Sequence, residues 1–150
     1  MPRSDRADVR DYLDRAEDHL RVNGGGDALS RSHTADFRTV GWYGPPPAGY
    51  RLAIDAERRD AAVPPTLGSR YGTVDFWARW TRAESLCKAY DMPILRWLRR
   101  YGLDVPHDRP AVWRTLTIDD LTVSVACVPL ERLEPLSTPL GAPCPPAAES

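Results

Sequence analysis

Glu84 and Lys88 stand four residues apart in WTRAESLCKAY (80–90), and Asp55 and Glu57 stand two apart in YRLAIDAE (50–57). A spacing of four puts the first pair on one face of a helix. The ordinary outcome there is a surface ion pair worth about 0.2–1 kcal/mol. A spacing of two puts the second pair on one side of an extended strand. Two carboxylates on one side repel unless water solvates them or a cation bridges them. A hard divalent ion such as Mg²⁺ does this through oxygen ligands and keeps waters or phosphate oxygens in its other positions. Taken singly, each pair reads as solvated surface. Lys88 has one further distinction: the chain has 20 Lys and Arg residues and a single lysine, so 20 − 1 = 19 are arginine. An ammonium is a compact point charge, whereas a guanidinium is wide and planar.

Elements must hold these residues in place. Residues 5–22 read as an amphipathic helix, with Val9, Leu13, Ala16 and Leu20 at helical spacing. Asn23 and Gly24-Gly25-Gly26 end it; with no preceding strand and no following GK[ST], these glycines do not read as a phosphate loop. FRTVGWY (37–43) and YRLAID (50–55) read as strands joined by GPPPAG into a hairpin. The punctuated segment 58–72 reads as loop. A helix follows over 74–90, with Phe76, Trp80, Ala83 and Cys87 as its apolar stripe. Asp91 is the expected N-cap and Pro93 a first-turn residue of the next helix, which carries Ile94, Leu95, Trp97, Leu98 and Tyr101 and closes at Gly102. Trp77, Trp80 and Trp97, at helical spacing, read as core. VWRTLTI (112–118) and LTVSVACV (121–128) are strands around an Asp119-Asp120 turn. The order predicts an α+β domain with a mostly antiparallel sheet packed against helices. The expected division is an N-terminal helix to residue 23, a domain over 24–130 and a Pro-rich, disordered tail over 131–150.

Composition narrows the partners. The 150 residues are 42% hydrophobic and carry a formal net charge of −1, which argues against a whole-surface attraction to nucleic acid. The charged first twenty residues hold no apolar signal region, and no stretch approaches a membrane span. Cys87, Cys127 and Cys144 form no CxxC or zinc spacing. A cytoplasmic protein with no membrane partner is expected.

Together the motifs say more than each does alone. Ser30-Arg31-Ser32-His33-Thr34, then Ile54-Asp55-Ala56-Glu57, then Trp80-Thr81-Arg82-Ala83-Glu84-Ser85-Leu86-Cys87-Lys88-Ala89, then the strand LTVSVAC (121–127), resemble in order the 4′-phosphopantetheinyl transferases. The chain resembles a surfactin-type member whose first half has been cut down. That resemblance implies the family's fold and transfer of the phosphopantetheine arm of coenzyme A to a serine of an acyl or peptidyl carrier protein. It implies Mg²⁺ held by Asp55, Glu57 and Glu84, with Glu84, directly or through a metal-bound water, taking the serine proton and Lys88 on a diphosphate oxygen. Ser32 and His33 would meet the ribose 3′-phosphate of coenzyme A, and Arg82 would also contact coenzyme A. Because relatives form their site between two units, it also implies a homo-oligomer. Two departures stand out. Ala83 occupies the place of the basic residue that usually precedes the glutamate, with Arg82 one position earlier, and the segment between Glu57 and Trp80 is short. Two other function classes stay open: a non-catalytic module binding coenzyme A or a carrier protein, and a repurposed enzyme that cyclises or rearranges an intermediate with Glu84 as acid/base.

Overall fold

The computed structural model describes residues 4–105 and 110–133. Its elements are α1 (Arg6–Leu13), β1 (Leu20–Val22), β2 (Ser30–His33), β3 (Thr39–Trp42), β4 (Tyr50–Arg58), α2 (Pro65–Tyr71), α3 (Phe76–Tyr90), α4 (Ile94–Tyr101), β5 (Val112–Ile118) and β6 (Leu121–Pro129). The strands form two three-stranded sheets, ordered β1-β3-β2 and β4-β6-β5, and each described pairing is antiparallel. The architecture is α+β, as the element pattern predicts.

The second sheet is the centre of the molecule. Every residue of β6 is buried. Strand periodicity sends alternate side chains to opposite faces, so β4 and β6 serve two cores. Ile54 and Val125 join Val9, Leu13, Val40 and Trp42 on one side. Ala53, Ala126 and Val128 meet Leu86, Tyr90 and Trp97 on the other. The small side chains Ala53, Ser124 and Ala126 let α3 lie close to the sheet. There Thr81 Oγ1 and Thr115 Oγ1 each lie 2.8 Å from Ser124 Oγ, which satisfies the buried hydroxyls.

Several local expectations need correction. The helix expected over 5–22 stops at Leu13; Ala16–Asp18 is a single 3₁₀ turn, and Leu20–Val22 is β1, paired with β3 from Leu20↔Trp42 to Val22↔Val40. Val9, Leu13, Ala16 and Leu20 are all buried in one core, so the apolar positions were legible while the path between them was not. Spacings of three and four fit a helix-turn-strand as well as one long helix. The expected 37–43/50–55 hairpin does not form either: β3 pairs with β1 and β2, while β4 pairs with β6. Pro45, Pro46 and Pro47 offer no N–H to a ladder, and Gly49 turns the chain at φ 81°. The strand that takes the place beside β3 is Ser30–His33, a polar run with no apolar alternation to announce it.

The expected loop 58–72 contains helix α2, with Pro65 in its first turn. Asp91 is not the N-cap of α4. It sits in the left-handed region (φ 58°, ψ 45°) and closes α3, with Met92 N–H bonded to Cys87 O at 2.8 Å. Pro93 then occupies the cap position before Ile94, and Gly102 ends α4 at φ 67°, as predicted. The β5–β6 hairpin turns at Asp119-Asp120. Trp97 is fully buried, whereas Trp77 and Trp80 are half-buried and pack against Phe76. Among the described residues no helix is long and apolar enough to cross a membrane. The expected Pro-rich tail beyond residue 133 and Cys144 lie outside the described residues.

Candidate functional site

The face of β4 that carries Ala53 also carries Asp55 and Glu57, because the three are two apart. Ala53 packs in the core beside α3, so both carboxylates are turned towards that helix. Glu84 and Lys88 project from α3 one turn apart. Asp55 is 7% exposed. Its Oδ1 accepts from Ser32 Oγ at 3.1 Å and from Lys88 Nζ at 3.3 Å, while its buried Oδ2 has no hydrogen-bond partner.

β2 and β4 belong to different sheets, and side chains join them. Ser30 Oγ accepts the Ile54 N–H and Ser32 Oγ accepts the Ala56 N–H, each at 3.0 Å. Lys88 Nζ donates to Ile54 O on β4 at 2.9 Å and lies 3.5 Å from Arg31 O on β2. Two hydroxyls and one ammonium thus satisfy three backbone groups on the open edge of β4, the Ile54 and Ala56 N–H and the Ile54 carbonyl, where a neighbouring strand would otherwise serve. An arginine fork would not fit one point between three oxygens as an ammonium does.

The electrostatics follow from burial. Asp55 is pushed up to about 7, first by loss of water, with the Lys88 charge opposing and the charges of Glu84 and Glu57 adding. Glu57 is raised by burial and then by Glu84, and Glu84 is raised by burial, with Lys88 opposing in both cases. Four groups from β4 and α3 therefore form one coupled cluster. Cys87 beside them is pushed up to about 12, chiefly by burial. It is a packing residue in thiol form and no nucleophile at neutral pH.

Asp55 Oδ2 is an unfilled buried acceptor, and all three carboxylates supply hard oxygen, so the donor set suits a hard divalent cation. Among the described residues no three His, Cys, Asp or Glu side chains stand ready as a metal cage.

The remaining expected site residues divide. Ser32 is in the cluster, but its hydroxyl is engaged with β4. His33, one residue on, points the opposite way and is exposed. Arg82 stands two residues before Glu84, so it leaves α3 on another side. Its guanidinium lies 4.1 Å from the centre of the Trp113 ring, and it lines a cleft of about 530 Å³ with Tyr71, Asp75 and Arg79. His33 and Arg82 are therefore not brought to the carboxylates. Ser30, which was not among the expected site residues, belongs to the same seam. The available signal was the Ser-x-Ser spacing, which puts two hydroxyls on one side of a strand.

Two clefts open beside the cluster. One of about 340 Å³ is lined by Glu84, Cys87, Lys88, Asp91, Met92 and Pro93. The other, about 460 Å³, runs past Leu29, Ser30, Tyr50, Leu52 and Leu130 and also reaches Lys88. No protein-family model, curated protein or solved structure matches the chain.

The seam carries its own prediction. Ser32→Ala leaves the Ala56 N–H without an acceptor and removes a donor from Asp55, which costs about 1–3 kcal/mol. The expected readout is a lower urea midpoint with an unchanged slope; an unchanged midpoint would show that water replaces the hydroxyl at no cost.

Proposed function

We propose that this chain is a Mg²⁺-dependent 4′-phosphopantetheinyl transferase of a shortened surfactin-like kind, acting on coenzyme A and an acyl or peptidyl carrier protein. The observation that supports this reading is the single cluster of Asp55, Glu57, Glu84 and Lys88, assembled from two elements that lie apart in sequence.

In this reading the carrier serine oxygen attacks the phosphorus bearing the pantetheine arm. A new P–O bond forms as the bond to the leaving 3′,5′-ADP breaks. Glu84, held above the ordinary carboxylate value by burial, takes the serine proton, directly or through a water on the bound metal. Lys88 faces the negative charge that gathers on the diphosphate, where positioning and charge neutralisation dominate catalysis. Asp55, Glu57 and Glu84 would hold the Mg²⁺, which when bound neutralises diphosphate charge. Exposed His33 is free to meet an outlying phosphate of coenzyme A. Ser32 and Arg82 hold internal partners and would have to leave them to do so.

A second reading has one observation in its favour. Ser32 and Lys88 are engaged in joining the two sheets, a role that a non-catalytic module binding coenzyme A or a carrier protein would also need. Intact-mass spectrometry separates the two. The protein is mixed with coenzyme A, Mg²⁺ and several apo carrier proteins, and the carrier is weighed. Transfer adds the phosphopantetheine mass and stops when EDTA is added. A folded protein that modifies no carrier but retains one on a column supports the binding module.

A further inference from the structure

Surface lysines usually lay their stems on the protein and turn their heads to water. Lys88 does the reverse. Its side chain is 37% exposed, yet its ammonium turns inward to Ile54 O at 2.9 Å, Asp55 Oδ1 at 3.3 Å and Arg31 O at 3.5 Å. An ammonium has three N–H donors, and these three oxygens account for all of them. None is left for a ligand in either cleft, although Lys88 is the lining residue that the two clefts share. Its acidic partner is only half satisfied, since the other oxygen of Asp55 is buried and without a donor.

We propose that Lys88 is a resident counter-ion which a divalent cation displaces from Asp55, and that the freed ammonium then swings into the clefts to meet the anionic substrate. This rests on the cation site of the proposed function and goes beyond it by giving the order of events. Two cations against one carboxylate repel each other strongly where little water screens them. The unfilled oxygen of Asp55 would hold the divalent ion, whose larger charge would outweigh that of Lys88. Lys88 has a flexible four-carbon stem and open cleft on either side, so it can move without disturbing α3. Metal and diphosphate would then bind in sequence, and by linkage each would tighten the other.

The single lysine makes the test direct. The full chain is labelled with ¹⁵N at the lysine ε-nitrogen, which gives one side-chain signal, and is titrated with Mg²⁺ and then with inorganic pyrophosphate. The expected result is a signal that shifts with the same midpoint as the Mg²⁺ binding heat and shifts again with pyrophosphate. Calorimetry on Lys88→Met is then expected to give Mg²⁺ affinity about tenfold tighter or more, a typical size for coupling between two sites. Mg²⁺ binding that leaves the lysine signal unmoved, with equal or weaker affinity in Lys88→Met, would overturn the counter-ion role while sparing the transferase reading. Binding to Lys88→Met alone would support displacement and count against Mg²⁺-dependent transfer by the natural chain. Binding to neither protein would remove both. The wild-type titration stands by itself if the variant fails to fold.

Discussion

Under the transferase proposal, Glu84→Gln is expected to slow phosphopantetheine transfer by about a hundred- to ten-thousand-fold, the usual range for losing a general base, with carrier affinity unchanged. Glutamine keeps the volume of the side chain and its place on α3, so packing is preserved. It cannot accept a proton and carries no charge for a cation. Because burial raises Glu84, the wild-type rate should climb with pH as this carboxyl ionises; in the variant only the part of that rise due to Asp55, at about 7, should remain. Single-turnover rates measured by intact mass across pH 5–8 read both effects. A variant with the wild-type rate and profile would take Glu84 out of the chemistry. A wild type with no rate to lose, but with carrier binding kept by both proteins, would point to the binding module.

Asp55→Asn is expected to stabilise the metal-free protein above neutral pH, although it discards an ion pair. The folded Asp55 sits at about 7 against an ordinary 3.8, so between those values the native state holds a proton that the unfolded chain has released. Stability therefore falls as pH rises through this window. Its full extent, on the order of 4 kcal/mol for a gap of this size, is reached above about pH 7. Glu57 and Glu84 are raised as well and add in the same direction. Asp36, Asp120 and Glu17 are lowered by their arginine partners; their losses come at more acid pH. Urea unfolding with chelator at pH 5 and pH 8 should show a clear drop for the wild type and a much smaller one for Asp55→Asn. Equal stability of the wild type at both values would mean that Asp55 is ionised throughout and better solvated than its burial implies.

What could be read from the chain depended on whether a rule of period two or of spacing four reached far enough. Asp55 and Glu57 on one side of a strand, and Glu84 and Lys88 on one face of a helix, follow from such rules. So do the β5–β6 hairpin and the Gly102 stop. That the two pairs face each other could not follow, because it depends on α3 lying across β4 on a bed of Ala53, Ser124 and Ala126. The inward turn of Lys88 was equally hidden. Its cause is the unsatisfied edge of β4 together with a second sheet that no apolar pattern announced in Ser30–His33. β1 and Asp91 were misread because a locally favoured geometry lost to tertiary pairing and to a helix stop.

β4 finds its ladder partner very late in the chain. Asp55 pairs with Ser124, which is 124 − 55 = 69 residues further on. At about 5–20 residues per second on a ribosome, β4 emerges roughly 3–14 s before the strand that will cover it. Throughout that interval Asp55 is wet and ordinary, and the neighbours that later shift it have nothing to press against. The raised pKa of this carboxylate is therefore a property of the finished molecule alone. A nascent chain that stops short of Leu121 already contains all four charged groups, yet it lacks the closing strand that excludes water from Asp55.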